Sequence, residues 1–397
     1  MFNVVIPLVS VPYVVRVLGP GNFGLVNFAS AFVGFFIIIS DYGFNFTANR
    51  DIAKNKSDRD KCMEIYNSVF VLKMFLFLIC LLIFVPVIFL FGDLFERKII
   101  FFISLGTLLG NLLFPYWFFK GMEKMMFVAV PNIIIRTLTT VLIFLLVLNR
   151  DDVVTYAFVL NAGNVLLGFS GVMLVAVKYG YRFYIPSIGK LKENFKEGLE
   201  VFYSIVCTSI YNYANVFLLG IFTDYRIVGY YSAADKIISG ITGLVSNLNE
   251  STYPRISSLL AGDRKSGIKM IKTSAKIIGA LSSGATIVTF IFAEPIVRIV
   301  FGTEFTDTAV LLRILAFVPL FLSLNNLYGV QTILNMGYRK EFLKIIMFSL
   351  LYFLIVSFVL VPLFNAVGTS VSIASTELIV LLLMVLFIKK KKLLAEI

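Results

Sequence analysis

Histidine is absent from the 397-residue sequence, and tryptophan occurs once. Without histidine there is no imidazole general base and no imidazole metal ligand, which removes much of the catalytic menu. The three cysteines, Cys62, Cys80 and Cys207, have neither metal-ligand nor disulfide spacing. The two that fall in apolar runs read as small apolar filler. No metal site, no cofactor and no enzymatic activity are expected. A phosphate-binding Walker loop is also missing, which argues against an ATP-driven pump. Charge is scarce as well: Asp, Glu, Lys and Arg make up 15% of the chain, against about 25% in a soluble domain.

Apolar side chains fill the gap. They make up 59% of the residues, with 41 phenylalanines and a mean hydropathy of +0.93. Apolar runs of roughly 18 or more residues recur along most of the length, as membrane helices require. At ~20 residues each they give about twelve spans. These fall near 1–15, 24–48, 63–91, 99–119, 125–148, 153–177, 199–222, 227–254, 268–293, 308–330, 341–361 and 367–388. The fold class expected is an all-α polytopic membrane protein with short connections. The opening "MFNVVIPLVSVPYVV" has no basic segment and no small-residue cleavage site, so it is not read as a signal peptide.

The net charge of +12 is unevenly distributed. The connections 50–61, 120–124, 178–196, 255–276 and 339–344, with the closing "KKKK", hold 25 of the 35 basic residues. The alternate connections hold six: Arg16, Arg97, Lys98, Arg150, Arg226 and Arg298. The positive-inside rule puts the first set and the C-terminus in the cytoplasm. Basicity here sets topology and meets lipid headgroups. No basic aromatic platform for nucleic acid accompanies it.

The spans divide six and six. An N-terminal lobe covers 1–177, a cytoplasmic connecting segment 178–198, and a C-terminal lobe with a basic tail 199–397. In the connection, Ile188, Leu191, Phe195 and Leu199 recur at helical spacing opposite Lys192, Lys196 and Glu197, which suits a helix on the membrane surface. An ordinary solvated linker is the alternative. A shift of 205 residues aligns the halves: Gly24 falls on Gly229, Ala29 on Ala234 and Arg50 on Arg255. With six spans each, both halves enter the membrane in one direction, so a pseudo-two-fold axis along the membrane normal would relate the lobes around a central cavity.

The stretch "RVLGPGNFGLVNFASAFVGFFIIISDYGFNFTANRDIA" (16–53), with "RVLGP..FG", "SDYGFN" and "R.IA", resembles the opening of bacterial polysaccharide-biosynthesis flippases. These are the Wzx-type proteins of the multidrug/oligosaccharidyl-lipid/polysaccharide exporter superfamily. "KGMEKM" (120–125) fits the family's fourth-to-fifth connection. Members usually begin with a basic segment and a full first helix. Here only about 15 residues precede Arg16, so a trimmed start or a short first helix is expected. The resemblance implies a secondary transporter of the bacterial cytoplasmic membrane. It would flip an undecaprenyl-pyrophosphate-linked oligosaccharide to the outer leaflet by alternating access, beside a polysaccharide polymerase and other assembly proteins. Two rivals stand: a multidrug exporter of the same superfamily, and a membrane glycan polymerase or ligase, which would normally need a large outer loop.

Eight charges fall within the spans: Lys73, Arg136, Lys236 and Arg313, with Asp41, Asp235, Glu250 and Glu377. Each costs roughly 2.5–3.5 kcal/mol at the centre of a lone membrane helix, so they must line an aqueous cavity or pair across helices. Read as cavity residues, Arg136, Lys236, Lys73 and Arg313 are the candidate pyrophosphate ligands. Asp235, Glu377 and Asp41 are candidate sites for a coupling H+ or Na+. The competing reading is structural ion pairing and snorkelling. Glycan hydroxyls could meet Tyr42, Asn45, Asn164, Tyr211, Asn212, Asn215, Asn247, Asn325, Asn326 and Gln331. "GTLLG" (106–110) reads as close helix packing. "DRD" (58–60) matches a glycosyltransferase Asp-x-Asp but sits in a short basic loop.

Overall fold

The computed structural model describes residues 2–180 and 182–394, the side chains of 2–8, 200, 203–205 and 207–212 excepted. Fifteen α-helices follow one another: α1 Phe2–Asp41, α2 Phe44–Asn55, α3 Arg59–Leu90, α4 Gly92–Glu96, α5 Lys98–Leu113, α6 Tyr116–Gly121, α7 Met126–Leu146, α8 Val153–Tyr179, α9 Ile188–Phe222, α10 Tyr225–Gly262, α11 Arg264–Ile291, α12 Ala293–Phe301, α13 Thr308–Leu315, α14 Val318–Asn325 and α15 Arg339–Lys390. No strand occurs among the described residues. A backbone with every amide satisfied within its own helix is what a hydrocarbon solvent demands. Large apolar side chains stand outward along these helices, among them Leu82 at 75% exposure and Leu90 at 78%. Such a surface suits lipid.

Eight helical stretches are long and apolar enough to cross a bilayer among the described residues. The difference from twelve has local causes. The first two expected spans run through one helix, α1, broken only at Gly19 (φ 71, ψ 173), in the gap between 15 and 24. The last two share α15, broken at Asn365 (φ 51, ψ −130). α10, the expected eighth span, is helical but carries Asp235, Lys236, Asn247, Asn249 and Glu250, so it falls outside the apolar set. The expected surface helix at 188–198 runs without interruption into the expected seventh span as α9. Of α9 only Tyr213–Phe222, with side chains described throughout, stands as a shorter apolar helix, so it too lies outside the eight.

The chain forms two compact units, residues 26–214 and residues 1–25 with 215–397. These bounds differ from the 1–177 and 199–397 lobes expected from the sequence, and the lobe plan is carried forward as part of the proposal below.

Inside the 26–214 unit, α5 and α8 pack through glycines. A Cβ on Gly110 would lie 2.3 Å from the Asn164 carbonyl oxygen, and one on Gly168 would lie 2.8 Å from that of Gly110. Only glycine allows this approach, as the "GTLLG" spacing implies. Thr107 joins the two helices by donating to Asn161 Oδ1 (2.7 Å) and accepting from Asn164 Nδ2 (3.0 Å). In the other unit, α14 passes into a π-helical segment, Asn326–Leu334. Such segments free backbone groups and often mark functional positions.

Candidate functional site

Lys73 and Asp41 meet in the 26–214 unit, one from α3 and one from the end of α1. Lys73 is 3% exposed. Its Nζ lies 2.8 Å from Asp41 Oδ1, 3.1 Å from the Asn111 carbonyl oxygen and 3.2 Å from Asn111 Oδ1. An ammonium has three donors, and all three are engaged. Asn111 Nδ2 in turn donates to Asp41 Oδ2 at 3.4 Å. Burial of this pair is offset by a full set of partners, the condition under which a buried ion pair persists. Lys73 therefore has no spare donor for a ligand while Asp41 holds it.

Arg136 stands differently. It is exposed on α7, a helix whose buried set is Ile143 alone. Its Nε donates to Asn132 Oδ1 one turn away, at 3.2 Å, and the two terminal nitrogens have no partner among the described residues. Lys236 is exposed on α10 and likewise has no hydrogen-bond or ion-pair partner among the described residues. Asp235 beside it is half-buried and takes a hydrogen bond from Ser239. Arg313 on α13 lies 3.8 Å from Glu294 on α12, with 40% and 65% of the two side chains exposed. That is a loose surface pair, of a kind worth little.

Glu377 on α15 is 5% exposed. Asn325, the last residue of α14, donates Nδ2 both to Glu377 Oε2 (2.7 Å) and to its carbonyl oxygen (3.0 Å). Next to it runs a polar seam. Gln331 Nε2 donates to Asn249 O (3.0 Å), Asn249 Oδ1 (3.1 Å) and Asn326 Oδ1 (3.3 Å). Asn249 Nδ2 reaches Ser323 O at 3.2 Å, and Ser323 shares a 2.9 Å hydrogen bond with Ser282. The seam joins α10, α11, α14 and the π-helical segment within one unit.

Each candidate charge is described within its own unit, and Asp235 takes its hydrogen bond from Ser239. Asp41 and Lys73 close on each other, Arg313 pairs with Glu294, Glu377 is held by an amide, and Arg136 and Lys236 are presented without a counter-charge bonded to them. Sequence reasoning missed Asn111, whose place in "GNLLFP" gives no hint of its partner, and Asn249, Ser282 and Ser323. Asn325, Asn326 and Gln331 were anticipated as polar groups, but for a glycan rather than for one another. Tyr211 and Asn212 lie outside the described side chains.

Three comparisons bear on the chain. A family model described as polysaccharide biosynthesis protein matches residues 1–260. A protein of Escherichia coli (strain K12), provisionally named an O-antigen transporter, is 31% identical over 392 residues, covering 99% of this chain and 94% of that one. Among solved structures, the lipid II flippase MurJ superposes with a TM-score of 0.78 at 15% identity, covering 98% of this chain and 86% of that one. A multidrug resistance transporter of the MATE family, in the MOP superfamily, gives 0.76 at 16% identity, covering 97% and 94%.

Proposed function

The chain belongs to the polysaccharide biosynthesis protein family, and from that premise we propose that it is a lipid-linked oligosaccharide flippase. The cargo is an undecaprenyl-pyrophosphate-linked glycan, moved from the cytoplasmic to the outer leaflet by alternating access of two six-helix lobes. The relative provisionally named an O-antigen transporter supports the substrate class, over nearly the full length of both chains. The likeness to MurJ supports a fold able to do it.

One observation of this chain carries the reading. Arg136 has no carboxylate bonded to it and Lys236 has only the through-space attraction of its neighbour Asp235, while Lys73 and Arg313 have carboxylate partners in direct contact. An unpaired cation in a span is costly unless an anion or water meets it, and a pyrophosphate is a multivalent anion that Arg binds with two parallel hydrogen bonds. Lys73 would join them only by leaving Asp41, and Arg313 lies nearer the outer end. Glu377 and Asp235 are the coupling sites for H+ or Na+, with Asp41 as a third. The protein works in the bacterial cytoplasmic membrane with a cytoplasmic C-terminus, on a lipid-linked product passed by glycosyltransferases to a polymerase outside.

Likeness to the MATE transporter supports the second reading, export of cationic drugs. The two separate in proteoliposomes. Purified protein should carry a fluorescent undecaprenyl-pyrophosphate-linked oligosaccharide between leaflets, read by its loss of accessibility to a quencher. Expulsion of a cationic dye with no movement of the lipid-linked glycan would replace the proposal with the exporter.

A further inference from the structure

A recess of about 460 Å³ lies away from the charges considered above, between the end of α10, the start of α11 and the turn after the π-helical segment. Ser257, Arg264, Asn335 and Tyr338 line it, over an apolar floor that includes Leu260 and Met336. No Asp or Glu lines it.

Its polar groups are poised to donate. Arg264 is exposed and has no hydrogen-bond or ion-pair partner among the described residues. Ser257 Oγ donates to Asn335 Oδ1 at 3.2 Å, but Asn335 Nδ2 is shielded from solvent and has no partner. Turning the amide over would only exchange which end goes unmet. A buried amide end without a hydrogen bond costs about 1–3 kcal/mol, so its persistence beside a cavity points to an absent partner. The backbone does not supply it: the Gly337 and Tyr338 amides are engaged by Leu334 O and Ile333 O, both at 3.1 Å. The neighbouring acid, Asp263, caps α11 by accepting from the Lys265 and Ser266 amides at 3.1 and 3.2 Å. The Ser266 hydroxyl, which donates to Asp263 Oδ2, and then those amide bonds hold its carboxyl below the usual carboxylate range. The α11 N-terminus is therefore already occupied, and the anion-binding capacity comes from Arg264.

From this geometry we infer that the recess is a binding site for a phosphate ester, separate from the transport path. The guanidinium takes the phosphate oxygens in its fork, and the Asn335 amide and Ser257 hydroxyl take the groups beyond it. The volume falls within the ~300–1,000 Å³ range of small-molecule pockets and exceeds what a bare ion needs. The basic stretches 255–276 and 339–344 surround it, on the face the proposed topology puts in the cytoplasm. Two sources carry this chemistry there: the headgroup of a phospholipid, and a soluble phosphate ester.

The test uses the full chain in phosphatidylcholine nanodiscs. In one arm phosphatidylglycerol is added and bound lipid is counted by native mass spectrometry. In the other, sn-glycerol 3-phosphate is titrated and thermal stabilisation is followed. Saturable binding is expected in one arm, and the arm identifies the source. Arg264→Gln should weaken it about tenfold or more, through loss of a charge-assisted contact. Asn335→Asp should do the same while still accepting from Ser257, so the fold is kept. Lys265→Gln, which alters a neighbouring charge that does not line the recess, should leave binding within about twofold. The inference is overturned if neither ligand binds saturably, if Arg264→Gln and Asn335→Asp bind as well as the wild type, or if Lys265→Gln weakens binding as much as Arg264→Gln.

Discussion

Gly24 and Gly229 touch backbone to backbone. A Cβ on Gly24 would lie 1.7 Å from the Tyr225 carbonyl oxygen and 2.6 Å from the Gly229 nitrogen; one on Gly229 would lie 2.0 Å from the Pro20 carbonyl oxygen. The contact is reciprocal. A shift of 205 residues carries Pro20 to Tyr225 and Gly24 to Gly229, so each glycine meets the counterpart of the residue its partner meets. Exchange of this kind marks a local two-fold relation between these two segments; the axis relating the lobes stays part of the proposal.

A methyl group cannot enter that contact without driving α1 and α10 apart. Gly24→Ala and Gly229→Ala should each reduce the yield of monodisperse protein in detergent, by more than the ~1–3 kcal/mol of ordinary overpacking, because the atoms in the way are backbone. Gly21→Ala is the control, since a Cβ there meets nothing within 4 Å. Equal size-exclusion profiles for all three variants would show that the helices can part at no cost.

The Lys73–Asp41 pair gives a stability prediction. Removing either partner leaves the other buried and charged, which costs about 3–5 kcal/mol. Lys73→Met and Asp41→Asn should each lower the melting temperature strongly, and the double variant should recover much of the loss. If Lys73→Met retains wild-type stability, Asp41 does not depend on the ammonium, and a separate coupling role for it gains support.

These pairings show where sequence reading stops. The length of the apolar runs needs only the order of residues, so the membrane class and the all-helical fold were legible, and the family was legible in the resemblance carried by residues 16–53. The "GTLLG" packing was legible too, because the spacing itself puts both glycines on one helix face. Four bases and four acids in the spans invited pairing among themselves, yet Arg313 takes Glu294 from outside that set and Glu377 takes Asn325. Periodicity states which face of a helix a residue occupies, not which helix lies opposite. The breaks at Gly19 and Asn365 fall in the gaps left between expected spans; what the sequence does not announce is that the chain redirects there at a single residue, with no polar loop. The π-helical segment Asn326–Leu334 packs against α15, and no local signal in the sequence reports it.

Glu377 carries the third prediction. With no histidine in the chain, a proton moved near neutral pH must ride on a carboxylate or a lysine. Glu377→Gln preserves shape and can still accept the Asn325 Nδ2 bond through its amide oxygen. A coupling role predicts a folded, cargo-binding protein whose flipping no longer responds to a proton or sodium gradient. A purely structural role predicts loss of stability instead. Asp235→Asn separates the second candidate in the same assay, and gradient-dependent flipping by both variants would remove both residues from coupling.

Arg136 provides the sharpest test of the transport reading, because its surroundings make little demand on it. The side chain is exposed, its one hydrogen bond is to Asn132 on its own helix, and no carboxylate pairs with it. Replacing it removes no interhelical bond and takes away a charge that an apolar span holds at a cost, so stability should not fall. Arg136→Ala should therefore reach the membrane at wild-type levels and melt with the wild type, while flipping of the pyrophosphate-linked glycan falls by at least tenfold. Arg136→Lys keeps the charge without the planar fork, so partial activity is expected. Lys236→Ala should behave like Arg136→Ala if both hold the same headgroup, and the pair should then lose less in combination than their separate losses imply. An alanine variant that flips normally at matched protein levels takes Arg136 out of the site. One that flips poorly and also unfolds would instead assign the residue to the architecture of α7.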